Sequence, residues 1–423
     1  MAHYHDTSAN SLFKGMYSLF LGAGSARILG IMSMPVLSRV YEPEAFGLLA
    51  VFTALTLQIM PVLSWRYAVA LPLTRSTGEA LNLVVLSFAL IFVSALVVAV
   101  CLWFFSENLL TWLKAENLLS VWWLIPIGAV IMAAFDLLLF WSTGMRAYGK
   151  VAQAQFIMSC VGESCKIGLG AIGWTSLGLL SGYLVSQISG SMFLVRQLKY
   201  SFRHYGKAVR FSRICVVAKR YLGFPLYRFP SQILLGLATQ LPILFIAALY
   251  DPATTGQFAL AMTALSLPLN LIGRTMAQAY YGEVSNVRKD PKLVWEISVS
   301  VQRRLIFLGI PFAIFLSLYA ESIFSIVFGD RWSMAGRFTE IFSFVLMFQV
   351  TSAPLLQIEN LMEKKMLFVC FNIFRISGIV FVYYLGAYFD LSATQFITIL
   401  SYFLTAFYCA ITFYLMRMLW VAK

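Results

Sequence analysis

The sequence predicts an all-α integral membrane protein of about 12 transmembrane helices in two six-helix bundles, related by a pseudo-twofold axis along the membrane normal. Three observations carry this prediction. Of the 423 residues, 60% are apolar and 12% charged, about half the charged share of an average soluble domain. Hydrophobic stretches recur along the whole length, each long enough at about 1.5 Å per residue to cross a hydrocarbon core of about 30 Å. A short Tyr-Pro-Gly motif stands at the same place in the two halves of the chain. Twelve spans of about 20 residues use roughly 240 positions and leave no segment long enough for a separate soluble domain. This composition excludes an ordinary cytosolic enzyme.

Taken in order, the opening MAHYHDTSANSLFKG lacks the basic n-region and cleavage site of a secretory signal, which predicts that the first hydrophobic segment is retained as a helix. Span one, 13–37, carries Arg27 near its middle among Gly22, Gly24 and Gly30, with Pro35 permitting a bend. An arginine so deep cannot easily snorkel, so it either lines an aqueous cavity or enters a buried ion pair. Span two, 46–65, opens on Tyr41-Glu42-Pro43-Glu44-Ala45-Phe46-Gly47, contains Pro61 and ends inside at Arg66. Span three, 81–105, leads to the longest outer loop, 106–120. Span four, 121–142, holds Asp136 with no cation within four residues on its own helix. It is expected to pair with Arg27 or Lys166 across an interface, or else to take up a proton or sodium ion. Span five, 153–173, carries Glu163 and Lys166 at i, i+3, where they neutralise one another or take part in ion coupling. Span six, 176–195, completes an N-terminal bundle over 1–195.

Residues 196–228 contain nine Lys/Arg and no acid. They read as a basic cytoplasmic linker lying on anionic membrane lipids, with substrate recruitment as the alternative. A C-terminal bundle, 229–423, follows with spans at 229–249, 257–278, 304–327, 336–357, 366–388 and 394–416. Pro225, Pro230, Pro242 and Pro268 mark static kinks or hinges. Span eight is preceded by Tyr250-Asp251-Pro252-Ala253-Thr254-Thr255-Gly256, so the pattern YxPxxxG recurs 209 residues after its first occurrence. The proline cannot donate to a preceding helix, the acid suits the positive start of the next one, and the glycine permits close packing. An even number of spans per half makes the copies point the same way. Arg274 ends span eight where Arg66 ends span two, and Arg375 lies mid-span in span eleven. Inner-end arginines either satisfy the positive-inside bias or form a cationic mouth for an anionic substrate.

The 31 Lys+Arg against 18 Asp+Glu would suggest nucleic acid in a soluble protein. Here, with the N-terminus inside, 24 Lys/Arg fall in or beside inner loops and tails, four (Arg39, Lys114, Arg331, Arg337) lie outside and three (Arg27, Lys166, Arg375) lie within spans. That distribution places both termini in the cytoplasm and makes nucleic acid no partner. The six cysteines lack CxxC spacing and read as apolar packing residues, while His3, His5 and His204 leave no histidine metal site within the spans. No P-loop is present, so ATP is not a direct driver, and no cofactor is expected. The outer loop offers only Glu107, Lys114 and Glu116, too little for an external polymerase or ligase, so no enzyme is expected.

The stretches LSRVYEPEAFGLLAVFTAL and WRYAVALPL in the first half, and FPLYRFPSQILLGLATQLPILFIAALYDPATTGQFALAMTALSLPLNLIG with AQAYYGEVS in the second, resemble the polysaccharide transporters, or lipid-linked oligosaccharide flippases. These belong to the multidrug/oligosaccharidyl-lipid/polysaccharide (MOP) superfamily, and the similarity runs over nearly the whole chain. The resemblance implies a MATE-like V of two bundles in a bacterial inner membrane, open alternately to each side. It would move an undecaprenyl-pyrophosphate-linked O-antigen or capsule unit from the inner to the outer leaflet. Arg27, Arg66, Arg274 and Arg375 are candidate pyrophosphate ligands, because guanidinium offers bidentate donors and stays charged in an apolar site. Asp136, Glu163 and Lys166 are candidates for coupling to a proton or sodium ion, and a glycan polymerase complex is a further candidate partner. The competing reading is a cation-coupled drug or metabolite exporter of the same superfamily, which would expose lumenal carboxylates. A lipid-scaffold protein for glycan synthesis is the third.

Overall fold

The computed structural model describes residues 9–268, 273–287, 290–358 and 365–422, with the side chains of 9–23, 267, 268, 274, 365 and 422 outside the description. The described residues are helical throughout, with short turns and no strand. They divide into two compact units, Met1–Gly236 and Leu237–Lys423. The boundary falls inside a helix, and residues 196–228 belong to the first unit.

The first unit contains α1 (Ala9–Val40), α2 (Pro43–Ser64), α3 (Thr77–Trp112), α4 (Leu124–Gly144), α5 (Tyr148–Ala171), α6 (Ser176–Tyr205), α7 (Phe211–Arg220) and the start of α8 (Phe229–Leu249). Pro43 occupies the first turn of α2, where its missing N–H has no helical partner to lose. Ser76 caps α3 by accepting from the Glu79 N–H at 3.2 Å, and Glu79 reaches back to the Arg75 N–H at 2.9 Å. This reciprocal arrangement sets the start of α3. With neither proline nor an interior glycine beyond its first turn, α3 runs to Trp112 and takes in part of the expected outer loop. The core of this unit gathers Leu63, Leu71, Leu81, Leu137 and Trp141, each at most 2% exposed. Gly182 of α6 lets α5 approach so closely that a Cβ there would overlap the stem and backbone of Lys166.

The second unit contains the rest of α8, α9 (Pro252–Pro268), α10 (Arg274–Asn286), α11 (Pro291–Phe328), α12 (Ser333–Leu355), α13 (Lys365–Tyr388) and α14 (Ala393–Ala422). Asp290 caps α11 by accepting from the Lys292 and Leu293 N–H groups. Helix α12 packs against α9, α11 and α14. Edge-to-face contacts of Phe258 with Phe338 and Phe342, at 6.3 and 5.5 Å, join α9 to α12.

Nine helices among the described residues are long and apolar enough to cross a membrane. Three expected spans are not among them, for physical reasons. The C-terminal half of α1 carries Arg27 and Arg39, and side chains before residue 24 are outside the description. Helix α5 has 24 residues, ample length, but carries Gln153, Gln155, Glu163 and Lys166. The eighth expected span is α9, 17 residues ending at Pro268, followed after residues outside the description by α10. The expected linker is also more ordered than a tether: α6 continues to Tyr205 and α7 is a separate amphipathic helix. None of the six cysteines is buried, and four are exposed, in place of the expected packing role. Around a lipid-facing helix the outside is as apolar as the inside.

Candidate functional site

The two copies of YxPxxxG build the same kind of corner in their own units. Tyr41 is 2% exposed, lies against Gly170 and Gly178, and donates its hydroxyl to the Lys166 carbonyl at 2.7 Å. Tyr250 packs edge-on against Phe396 at 6.0 Å and donates to the Leu391 carbonyl at 2.8 Å. Each tyrosine thus fastens a helical corner to its unit's fifth-to-sixth hairpin, α5–α6 or α13–α14. The acids differ: Asp251 accepts from the Thr254 N–H at 2.7 Å, whereas Glu42 makes no side-chain cap bond.

At the other end of α2, Trp65 and Arg66 both adopt left-handed backbone, φ 46° and 56°. For non-glycine residues this costs on the order of 1–3 kcal/mol each unless the surroundings enforce it. Here Trp65 stacks on Phe229 at 5.8 Å and donates its indole N–H to Ser94, while the following Tyr67 is buried and donates to the Ala218 carbonyl at 3.1 Å. The sharp corner directs Arg66 onto α4. Its Nη1 lies 3.2 Å from Asp136 Oδ2, with side chains 13% and 22% exposed, and its guanidinium sits over the Phe140 ring at 5.9 Å. Asp136 therefore pairs with Arg66 and not with Arg27 or Lys166.

Glu163 and Lys166 form the expected i, i+3 pair at 2.8 Å. The second Glu163 oxygen accepts from Ser33 of α1 at 2.8 Å. Both carboxylates of α4 and α5 are thus charge-compensated within the first unit. Arg27 is exposed, and a Cβ built on neighbouring Gly24 or Gly30 would meet nothing within 4 Å. Among the described residues no carboxylate lies within ion-pair distance of it. The side chain of Arg274 lies outside the described residues.

Arg375 is half-buried in the second unit, beside a cavity of 200 Å³ framed by α8, α9, α12, α13 and α14. Its guanidinium sits 5.5 Å from the Tyr408 ring centre, and its Nε is buried without a hydrogen-bond partner. Phe258 and Leu404 supply apolar wall, and Thr239 and Gln349 supply polar groups. Of the three candidate arginines whose side chains are described, the structure brings only Arg66 to another candidate residue.

The sequence reading missed a polar latch at the start of α3. Glu79 accepts from Arg220 at 2.9 Å and from the Tyr221 hydroxyl at 3.2 Å. Asn82 donates to the Ala208 carbonyl and accepts from the Arg210 N–H, each at 3.1 Å. Burial and the Glu79 carboxylate push the Tyr221 phenol up, keeping it a donor. The S-x-x-E pattern at Ser76 signals the helix start but not the docking of α7.

A family model described as polysaccharide biosynthesis protein matches residues 36–337. No curated protein matches the sequence. Among solved structures, a lipid II flippase, MurJ, in an inward closed conformation shares 14% identity at TM-score 0.71, over 94% of this chain and 86% of that one. An inward-facing multidrug resistance MATE family transporter of the MOP superfamily shares 15% at 0.58, over 96% and 94%. The Vibrio cholerae MATE transporter VcmN in its bent form shares 12% at 0.52, over 97% and 99%. At these identities the likeness is one of fold.

Proposed function

From the premise that this chain belongs to the polysaccharide biosynthesis protein family and has the fold of MOP-superfamily transporters, we propose that it is a flippase for an undecaprenyl-pyrophosphate-linked oligosaccharide. It carries an O-antigen or capsule repeat unit from the inner to the outer leaflet of a bacterial inner membrane by alternating access. The observation that carries this reading is the charge balance of the groups near mid-span in α1, α4, α5 and α13. Asp136 and Glu163 are each paired with a cation, while Arg27 and Arg375 have no carboxylate within ion-pair distance among the described residues. An arginine left uncompensated in a span, as Arg27 is, attracts an anion. A drug exporter for cations would leave its mid-span carboxylates free, so this mid-span balance disfavours the competing reading. Glu321 and Glu340, nearer the ends of α11 and α12, have no ion-pair partner among the described residues.

Arg27 is the first pyrophosphate ligand in this proposal, because it is exposed and uncompensated. Arg66 is the second, and it must exchange partners: a guanidinium bound to Asp136 at 3.2 Å can pass to a phosphate of similar geometry. That exchange leaves Asp136 without its cation and ready to take up a proton or sodium ion, which couples the substrate to an ion gradient. Arg274 supplies the matching cation of the second half, and Arg375 adds positive charge from within its unit. Glu163 and Lys166, tied to Ser33 and to the Tyr41 corner, hold the α1–α5 face in register while the pair on α4 opens.

The test is deletion of the chain in its host, with surface glycan and cytoplasm-facing lipid-linked oligosaccharide quantified together. Loss of the first with accumulation of the second is expected, restored by the wild-type chain and not by Arg27→Ala at equal membrane abundance. Normal amounts of both, once a redundant transporter is excluded, would defeat the flippase reading.

A further inference from the structure

We propose that the interior of the second unit holds a small inorganic anion of the chloride class on Arg375, at a site separate from the path of the oligosaccharide. Arg375 is half-buried, and a guanidinium donor shielded from water is unfavourable unless it is hydrogen-bonded. Arg375 lies in a wall made of core residues: Phe258 is fully buried, and Leu404 and Tyr408 are 3% and 5% exposed. The Tyr408 ring, 5.5 Å away, offers a cation–π contact that lowers the desolvation penalty without supplying a negative charge. The Nε donor is buried and unpartnered, and no described carboxylate is within ion-pair distance.

The cavity that Arg375 faces sets the size of the missing charge. At 200 Å³ it lies below the range of about 300–1,000 Å³ that takes a drug-sized ligand. A sugar-pyrophosphate is larger still. A halide with a few waters, each about 30 Å³ in liquid, fits. The polar groups are suited to an anion: the guanidinium donates on one side, and Gln349 and Thr239 reach the same cavity from α12 and α8. None of the cavity's lining residues is acidic, which excludes a metal cation there. An anion on Arg375 would join α13 to α8 and α12 electrostatically, so that anion concentration sets the rigidity of the second unit. This inference does not require the flippase reading.

The experiment uses the purified full-length protein in detergent. Binding of radiolabelled chloride is measured by equilibrium dialysis, and thermal unfolding is followed in chloride, bromide and gluconate at one ionic strength. The wild type is expected to bind chloride saturably and to unfold at a higher temperature in chloride or bromide than in gluconate, whose bulk excludes it. Arg375→Gln is expected to lose affinity about tenfold or more and to show one unfolding temperature in all three salts, while Arg375→Lys keeps weaker, saturable binding. Should Arg375→Gln not fold, Gln349→Leu, expected to weaken chloride binding several-fold, decides the point. Absence of saturable binding by the wild type, unchanged binding in Arg375→Gln, or unchanged binding in Gln349→Leu where that variant decides, would overturn the proposal. Displacement of chloride by pyrophosphate at comparable concentration would overturn it too, by assigning Arg375 to the substrate path.

Discussion

Arg66 and Asp136 neutralise one another across two helices whose residues are 70 positions apart. Removing one partner leaves the other uncompensated in a site that is mostly shielded from water. Asp136→Asn and Arg66→Met are each expected to lower stability by about 1–3 kcal/mol, and the double variant is expected to recover most of that loss, read by thermal unfolding in detergent. Additive losses would show that the pair contributes nothing as a pair. The same exchange of partners predicts that Asp136→Asn still binds the lipid-linked substrate but no longer responds to an ion gradient. Gradient-dependent transport at the wild-type rate in that variant would remove Asp136 from coupling. Residues also differ in how legible they are. Glu163 and Lys166 are neighbours by helical spacing alone, so their pair is readable from sequence. The Arg66–Asp136 pair depends on a left-handed corner at Trp65 and Arg66 and on the packing of α2 against α4, neither of which leaves a local signal.

At the scale of elements, the corner opened by YxPxxxG does more than start a helix. Its tyrosine hydroxyl satisfies a carbonyl of a distant hairpin in both units, Lys166 in one and Leu391 in the other. Tyr41→Phe and Tyr250→Phe are each expected to destabilise by about 1 kcal/mol, measured as a fall in unfolding temperature with membrane insertion unchanged. A neutral outcome at both would make the repeat a turn signal only. The proline and glycine of the motif were interpretable from the sequence because they act on their own backbone. The tyrosine's part was not, since its acceptor lies 125 residues away in the first unit and 141 in the second. Helix α7 illustrates the same limit. Its basic composition predicts a membrane-surface segment, but its docking depends on Glu79 of α3 holding Arg220 and Tyr221. Glu79→Ala is expected to free α7 and increase proteolytic cleavage within 206–222, whereas an unchanged digestion pattern would mean the apolar contacts of Val217 and Tyr221 suffice.

For the whole molecule, composition and hydrophobic run length were enough to give an all-helical membrane protein, because the bilayer forces every backbone group to be satisfied within its own segment. Spans with polar interiors, such as α5, escape a composition criterion and are recognised only by their packing between α1 and α6. The positive-inside bias predicts that 196–228 lies in the cytoplasm. Exposed Cys215 on α7 provides the check: in a variant retaining that cysteine alone, an impermeant maleimide is expected to label inverted membrane vesicles and not spheroplasts, and the opposite pattern would invert the topology. Substrate choice has no comparable signature, since sugars are recognised by dispersed side chains from many helices. The most direct measurement is therefore transport itself. Purified protein is reconstituted into liposomes whose labelled undecaprenyl-pyrophosphate oligosaccharide is accessible to an impermeant glycan-modifying reagent in one leaflet only. Wild type is expected to move the protected lipid into the reactive leaflet well above the protein-free rate, and Arg27→Ala is not. Movement by wild type no faster than in protein-free liposomes, with the protein folded and inserted, would contradict the flippase assignment.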